Sequence, residues 1–340
     1  MKVFLWLLIF AGVLRADLLH RWSFNEFAGS PTAGTVYLDS VGGVAMTLKG
    51  VGVVHTGARI ELLGSTLNGE PEATISAYLD LPNGIISSKS DLTVEMWAVP
   101  LGARDWAPLF DFGRWNTAGD GLGAPGEWTG NSGANPGASV AGDALAILLS
   151  RGLNINQQRN AVTLNGTRLE LDTNLATNLG QTYHYLVTMT DGAGSFGASG
   201  MQMEVYRDGL STGTLDLPHR LDVIEDVNCW LGRLQWNSLS TANVAYDEVR
   251  IYDHALSPTE VGESLAAGPD VVFAPLVLQP DSATLHHQQK VRLDVLANDG
   301  AGASPGSVTV VTPPSNGTAV PDAQGRILYA HAHHGDAFDG

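Results

Sequence analysis

Hydrophobic and polar positions alternate in short runs along most of the chain, and Gly, Asn, Asp or Pro closes nearly every run. Runs over residues 18–24, 44–48, 77–81, 92–99, 109–112, 144–149, 183–190, 201–206, 230–234 and 244–252 predict strands. In 92–99, Leu92, Val94, Met96 and Ala98 fall on one face and Thr93, Glu95 and Trp97 on the other, the pattern of one layer of a sandwich. Helical signals converge once, over 255–268. There Ser257 caps, Pro258 suits the first helical position, Glu260 completes a capping box and Gly268 stops the helix. Many strands and one terminal helix predict an all-β antiparallel sandwich.

The strand before that helix, "AYDEVRIY" over 245–252, carries charges where half of its residues should be buried. Strict alternation places Ala245, Asp247, Val249 and Ile251 on one face and Tyr246, Glu248, Arg250 and Tyr252 on the other. Asp247 then shares an aliphatic face and requires a partner. Pairing with Arg250 or another cation, or the capping of backbone amides, would supply one.

Two stretches interrupt the strand pattern. Residues 113–143 are loop chemistry throughout, longer than the roughly 12–15 residues that loops rarely exceed, and read as a functional loop or a disordered surface insertion. Prolines after the helix mark a linker over 268–280. The strand-rich stretch before it, 17–267, forms the main domain. Beyond the linker, 281–340 holds short runs with turns at Asn298-Asp299-Gly300 and Asn316-Gly317, the pattern of an immunoglobulin-like β-sandwich. About 60 residues against the roughly 100 such a domain uses make this module partial or truncated.

Composition narrows the function. A chain that is 44% hydrophobic and 16% charged suits a large core and excludes a disordered polymer. A formal net charge of −17 disfavours nucleic acid and anionic membranes as partners. Lys2, an apolar run from Val3 to Leu14 and the small Ala16 predict a signal peptide over 1–16 and hence a secreted or cell-surface protein. That run is shorter than the roughly 20 residues a membrane span needs, and no other segment comes close. The single cysteine, Cys229, has no partner for an internal disulfide; beside Trp230 it reads as a packed core thiol.

The segments "LLHRWSFNE", "LDSVGG", "DLTVEMWAVP", "LFDFG", "TYHYLVTMTDG", "MEVYRDG", "CWLGR" and "YDEVRIYDHALSPTEV" follow the order of laminin-G-like domains, and residues 17–267 resemble that branch of the concanavalin A-like lectin/glucanase superfamily. Similarly, "VRLDVLANDG" and the segments after it resemble a bacterial cadherin-like or immunoglobulin-like tandem module. The first resemblance implies a jelly roll of two antiparallel sheets. It also implies a structural calcium held by Asp247 with Asn25, Glu26, Asp39 and carbonyls around Gly42 and Gly43, which would supply the flexible oxygen ligands calcium requires. Asn298 and Asp299 suit a junctional calcium in cadherin-like arrays or, equally, a tight turn.

The superfamily includes glucanases, whose catalytic strand reads Glu-x-Asp-x-x-Glu. No such strand occurs here, and no nucleophile elbow, phosphate loop or His-Glu-x-x-His motif appears. The sequence therefore predicts no catalysis within this chain. His331, His333, His334 and Asp336, with His286 and His287, offer imidazoles that suit either a transition metal or a solvated strand end.

Sugar recognition uses aromatic faces with amide and carboxylate hydrogen bonds in a shallow groove. The candidates are Trp106, Trp115 and Trp128 in or beside the long loop, and Trp236 with Asn237; each tryptophan could equally serve local packing. Trp22, Trp97 and Trp230 lie within regular strands and read as core. The expected role is a recognition module for a carbohydrate or a cell-surface protein within a larger multidomain bacterial protein. The alternatives are the targeting part of an extracellular enzyme whose catalytic domain lies outside this chain, or a structural spacer.

Overall fold

The computed structural model describes residues 3–6, 18–25, 28–64, 77–116, 122–130, 141–236, 241–271, 281–285, 290–297, 308–310, 312–315 and 317–331. The chain divides into two compact units, Ala16–Val272 and a second formed by Met1–Arg15 with Phe273–Gly340. In the second unit Val3–Trp6 pairs antiparallel with Ser282–Leu285, and Lys290–Leu293, Ile327–His331 and Gly317–Pro321 form a three-stranded sheet over the buried Val295, Ile327 and Tyr329.

Ala16–Val272 is a sandwich of two antiparallel sheets. One has eight strands, in the order Thr167–Asn174, Gln157–Leu164, Ala141–Leu148, Pro108–Trp115, Asn228–Leu231, Tyr78–Leu81, Ala45–Lys49 and Val36–Leu38. The other runs Leu210–Leu217, Met201–Arg207, Tyr183–Asp191, Leu92–Gly102, Asn243–Tyr252, Ile60–Leu62, Val53–Thr56 and Ala28–Gly29, with Leu18–Trp22 also paired to Asn243–Tyr252. Alternation decides which side chains meet between the sheets. Leu92, Val94, Met96 and Ala98 from one sheet join Phe110, Phe112, Leu145, Ile147, Cys229 and Leu231 from the other in a single apolar core.

The strand Asn243–Tyr252 does not alternate strictly. Tyr246 pairs with Ala98 and Glu248 with the adjacent Trp97, so Asp247 is the extra residue of a β-bulge. The bulge shifts the phase: Val244 and Tyr246 before it, and Val249 and Ile251 after it, all face the core. The expectation that Asp247 shares the aliphatic face is corrected accordingly; it sits half-buried at the bulge itself.

The same shift aligns Glu248, Arg250 and Tyr252 on the outer face, beneath the helix Pro258–Ala267. That helix has the predicted capping box between Ser257 and Glu260, Pro258 at its start and Gly268 at φ 81° at its end. Val261 and Leu256 pack on Leu186, Tyr206 and Tyr252. Arg250, fully buried, lies 4.6 Å over the Trp97 ring. It donates to Glu248 at 2.6 Å, to Glu95 at 3.4 Å, to Ser264 at 3.3 Å, and to the carbonyls of Gly268, Pro269 and Val271 at 3.3, 2.6 and 2.9 Å. Glu95 also accepts from Tyr252 and pairs with His184, each at 2.8 Å; Arg21 grips Glu248 through two nitrogens. Burial pushes the Glu95 carboxyl up, but His184 and the Arg250 guanidinium outweigh it and hold the group below its usual value. The first residues of the expected linker are thus fastened to the domain by one guanidinium.

The expected loop 113–143 is trimmed at both ends, because Gly113–Trp115 and Ala141–Asp143 belong to strands. Within it, 122–130 folds back over the outer face of the eight-stranded sheet: the Trp115 N–H donates to the Gly126 carbonyl at 3.0 Å and the Trp128 N–H to Asn228 at 2.8 Å.

Candidate functional site

One end of the outer face of the eight-stranded sheet is built by a hairpin. Gln157–Leu164 and Thr167–Asn174 are joined by Asn165 and Gly166, at φ 49° and 75°, the left-handed pair that a two-residue turn matching strand twist requires. Val162, Leu164, Leu169 and Leu171 turn to the core. Arg159, Ala161 and Thr163 therefore line the opposite face, across from Asp172, Glu170 and Arg168.

On the neighbouring strand Ala146 and Leu148 form an apolar floor with Leu234, against which Trp106 and Trp236 pack half-buried. Trp106, Leu148, Arg159, Arg168, Leu234 and Trp236 line a cleft of about 210 Å³. The Arg159 guanidinium lies 5.0 Å over the Trp106 ring and that of Arg168 4.6 Å over Trp236. Trp106 has φ 55°, a conformation rare for a bulky side chain, and its N–H is held by the Gly152 carbonyl at 3.0 Å. Ser150 secures the same loop, accepting from the Ala107 N–H and donating to the Arg104 carbonyl.

The loop bearing Leu234 and Trp236 rests on a buried polar clasp. Gln235 donates its backbone N–H to Asp111 at 2.8 Å and exchanges side-chain hydrogen bonds with Asn228 at 3.0 and 3.1 Å. Asp111 is fully buried, and its second carboxylate oxygen has no partner among the described residues. Burial pushes this carboxyl up to about 7, against the Gln235 N–H and the charge of Arg168.

The sequence candidates divide. Trp106 and Trp236 come together at the cleft. Trp115 does not: it is buried, stacked on Trp128 at 5.6 Å and edge-on to Trp230 at 6.2 Å. Tyr78 completes this second aromatic cluster, and Arg233 covers Tyr78 and Trp230. Trp115 and the half-buried Trp128 thus hold 122–130 on the sheet. Asn237 lies outside the described residues, as do Glu26, Asn298, Asp299, His286, His287, His333, His334 and Asp336. His331 ends the strand Ile327–His331.

Among the proposed calcium ligands, Asp39 is committed elsewhere. Its carboxylate accepts from the N–H groups of Arg21, Val41 and Gly42, each at 2.8 Å, and pairs with His20 at 2.7 Å. It caps the turn that contains Gly43. Burial would raise its pKa, but these hydrogen bonds bring it below the usual value. Asn25 donates to Asp270 at 2.9 Å. Asp247 has its carboxyl pushed up to about 6 by burial and by the charges of Asp270 and Glu248. Among the described residues no group of three or more His, Cys, Asp or Glu is arranged to hold a metal ion, and Glu26 lies outside them.

Sequence reasoning missed Arg159, Arg168, Leu148 and Leu234, and also Glu170 and Asp172, which form a Glu-x-Asp pair on the outer face of one strand. The glucanase pattern would require a second Glu at position 175, which is Leu175. Arg159 holds the Asp172 carboxyl below its usual value.

A two-layer antiparallel jelly roll with an aromatic cleft on its outer face defines the class. The chain matches the laminin G family profile described as concanavalin A-like lectin/glucanases superfamily over residues 73–262, and it belongs to that superfamily. No curated protein matches it. Similar solved structures include domain 4 of an extracellular arabinanase from Geobacillus stearothermophilus in complex with arabinotriose, at 17% identity and TM-score 0.43, covering 74% of this chain and 99% of that one. A Trypanosoma rangeli sialidase in complex with sialic acid is similar at 16% identity and TM-score 0.45, covering 72% of this chain and 32% of the sialidase. The receptor binding domain of botulinum neurotoxin mosaic serotype C/D gives 9% identity and TM-score 0.44, covering 72% and 49%. The chain thus spans about a third of the sialidase and half of the toxin domain. Among the described residues no helix is long and apolar enough to cross a membrane.

Proposed function

We propose that the jelly roll is a non-catalytic carbohydrate-recognition module that acts outside the cell. The observation that carries this is the cleft, in which two half-buried tryptophans flank an apolar floor with arginines at the rim. Indole faces suit the C–H faces of a pyranose, and polar groups beside them suit its hydroxyls. About 210 Å³ is below the roughly 300–1,000 Å³ typical of small-molecule sites, so the cleft takes a single ring of a longer glycan.

The carboxylates on the exposed face of the hairpin argue for binding rather than hydrolysis, and the raised carboxyl of Asp111 is fully buried. Glycosidases need one carboxyl with a raised pKa as general acid. Asp172 is shifted the other way, by its hydrogen bonds from Arg159, and Glu170 is paired with both Arg159 and Arg168. The reading of the N-terminal 1–16 as an export signal supports the extracellular location.

A glycan array probed with the full chain tests the proposal. Trp106→Ala and Trp236→Ala should each weaken binding about tenfold or more, the loss of one buried aromatic contact, with the melting temperature nearly unchanged. Equal binding by both variants would remove the cleft from the site.

A further inference from the structure

We propose that this cleft selects an acidic sugar, taking its carboxylate or sulfate on the free edge of Arg168; the proposal rests on the carbohydrate reading above. The two rim arginines are not equivalent. Arg159 has all three nitrogens engaged by carboxylates: its Nε and one terminal nitrogen bind Asp172 at 2.7 and 2.8 Å, and the other lies 2.9 Å from Glu170. Arg168 donates only its Nε, to Glu170 at 2.6 Å. Its two terminal nitrogens make no hydrogen bond among the described residues, although the guanidinium is pinned flat over Trp236 and the side chain is only 34% exposed.

That arrangement is preorganised for an anion. Glu170 fixes one edge of the guanidinium and the indole one face, so the remaining N–H groups keep their direction before a ligand arrives. A carboxylate or sulfate on a sugar ring in the cleft would gain a charge-assisted contact there. A neutral sugar in the same place would leave those donors without a charged acceptor. Around the cleft Arg151, Arg159 and Arg168 face Glu170 and Asp172, and the buried carboxyl of Asp111 beneath the Trp236 loop also feels the charge of Arg168. The attraction for an anion therefore rests on the Arg168 N–H groups themselves and acts within a Debye length of roughly 8 Å at physiological salt.

The test is an array carrying neutral, uronic-acid, sialylated and sulfated glycans, probed with the full chain. The strongest acidic glycan on it is then titrated by calorimetry against wild type, Arg168→Gln and Arg168→Lys. Binding is expected on acidic glycans, weakening as salt is raised and falling about 10- to 100-fold in Arg168→Gln at unchanged melting temperature. The uronic-acid and sialylated spots against the sulfated ones identify which anion is taken. Arg168→Lys, which retains the charge without the fork, should keep part of the affinity; full affinity in that variant would overturn the two-pronged contact. Neutral glycans bound as tightly as acidic ones, or acidic binding untouched by Arg168→Gln, would overturn the selectivity and leave the carbohydrate reading standing. A wild-type chain silent on every glycan would overturn both.

Discussion

Arg250→Met is expected to lower the unfolding free energy by about 3–5 kcal/mol, the cost of breaking a buried ion pair from one side. At this domain size that is a fall in melting temperature of roughly 10 °C. The guanidinium neutralises Glu95 and Glu248, both essentially inaccessible to solvent, and satisfies the carbonyls of Gly268, Pro269 and Val271. Methionine fills the volume over Trp97 but leaves those groups without this donor. Urea unfolding of the full chain, followed by tryptophan fluorescence, reads the result, because seven of the eight tryptophans lie in Ala16–Val272. Adding Glu248→Gln to Arg250→Met should recover part of the loss by removing a stranded charge, although Arg21 still contacts that site. A single-variant loss below about 1 kcal/mol, the size of an exposed ion pair, would show that water reaches the site and the network is dispensable.

That network also shows what could be read from the sequence. The charges of "AYDEVRIY" signalled that one face of the strand was polar, but alternation assigned Asp247 to the wrong face. A bulge adds one residue without any residue type that announces it, and everything beyond it changes phase. The partners Glu95, His184 and Arg21 come from strands far apart in sequence, so no local pattern could pair them with Arg250. The helix cap was fully legible, since Ser257, Pro258, Glu260 and Gly268 act within a few residues of one another.

For the candidate site the missing information was partly local. Each of the ten expected strands has a counterpart, although the one expected over 230–234 is Asn228–Leu231 and ends early. The hairpin Gln157–Asn174 was not among them, because "QQRNAVTLNGTRLELDTN" has few apolar residues. Its Asn165-Gly166 pair is a strong turn signal, and alternation from that turn would have placed Arg168, Glu170 and Asp172 on one face. Which tryptophans remain accessible was not local. Trp115 and Trp106 look alike in sequence, and only the loop 122–130 folding over the sheet buries one and leaves the other at the cleft.

Asp111→Asn should change how stability depends on pH. With a pKa near 7 in the folded chain and near 3.8 when unfolded, Asp111 binds a proton on folding between those values. Its penalty is absent below about pH 4, grows through pH 4–7 and is constant above. The wild-type chain should therefore lose about 2–3 kcal/mol from this group between pH 5 and pH 8, integrating one proton over the shift. Asp80 and Asp247, both raised to about 6, act in the same direction. Glu95, Asp39 and Asp172 act oppositely, because their carboxyls are lowered and their contribution disappears as acid protonates them. Asparagine retains an acceptor for the Gln235 N–H and cannot ionise, so the variant should be clearly more stable than wild type at pH 8 and nearly equal to it at pH 4. Urea denaturation at both values, with the full chain, measures the difference. Parallel pH profiles for the two proteins would mean that Asp111 is ionised in the fold with an ordinary pKa. The clasp beneath Leu234 and Trp236 would then hold a solvated carboxylate rather than a protonated one.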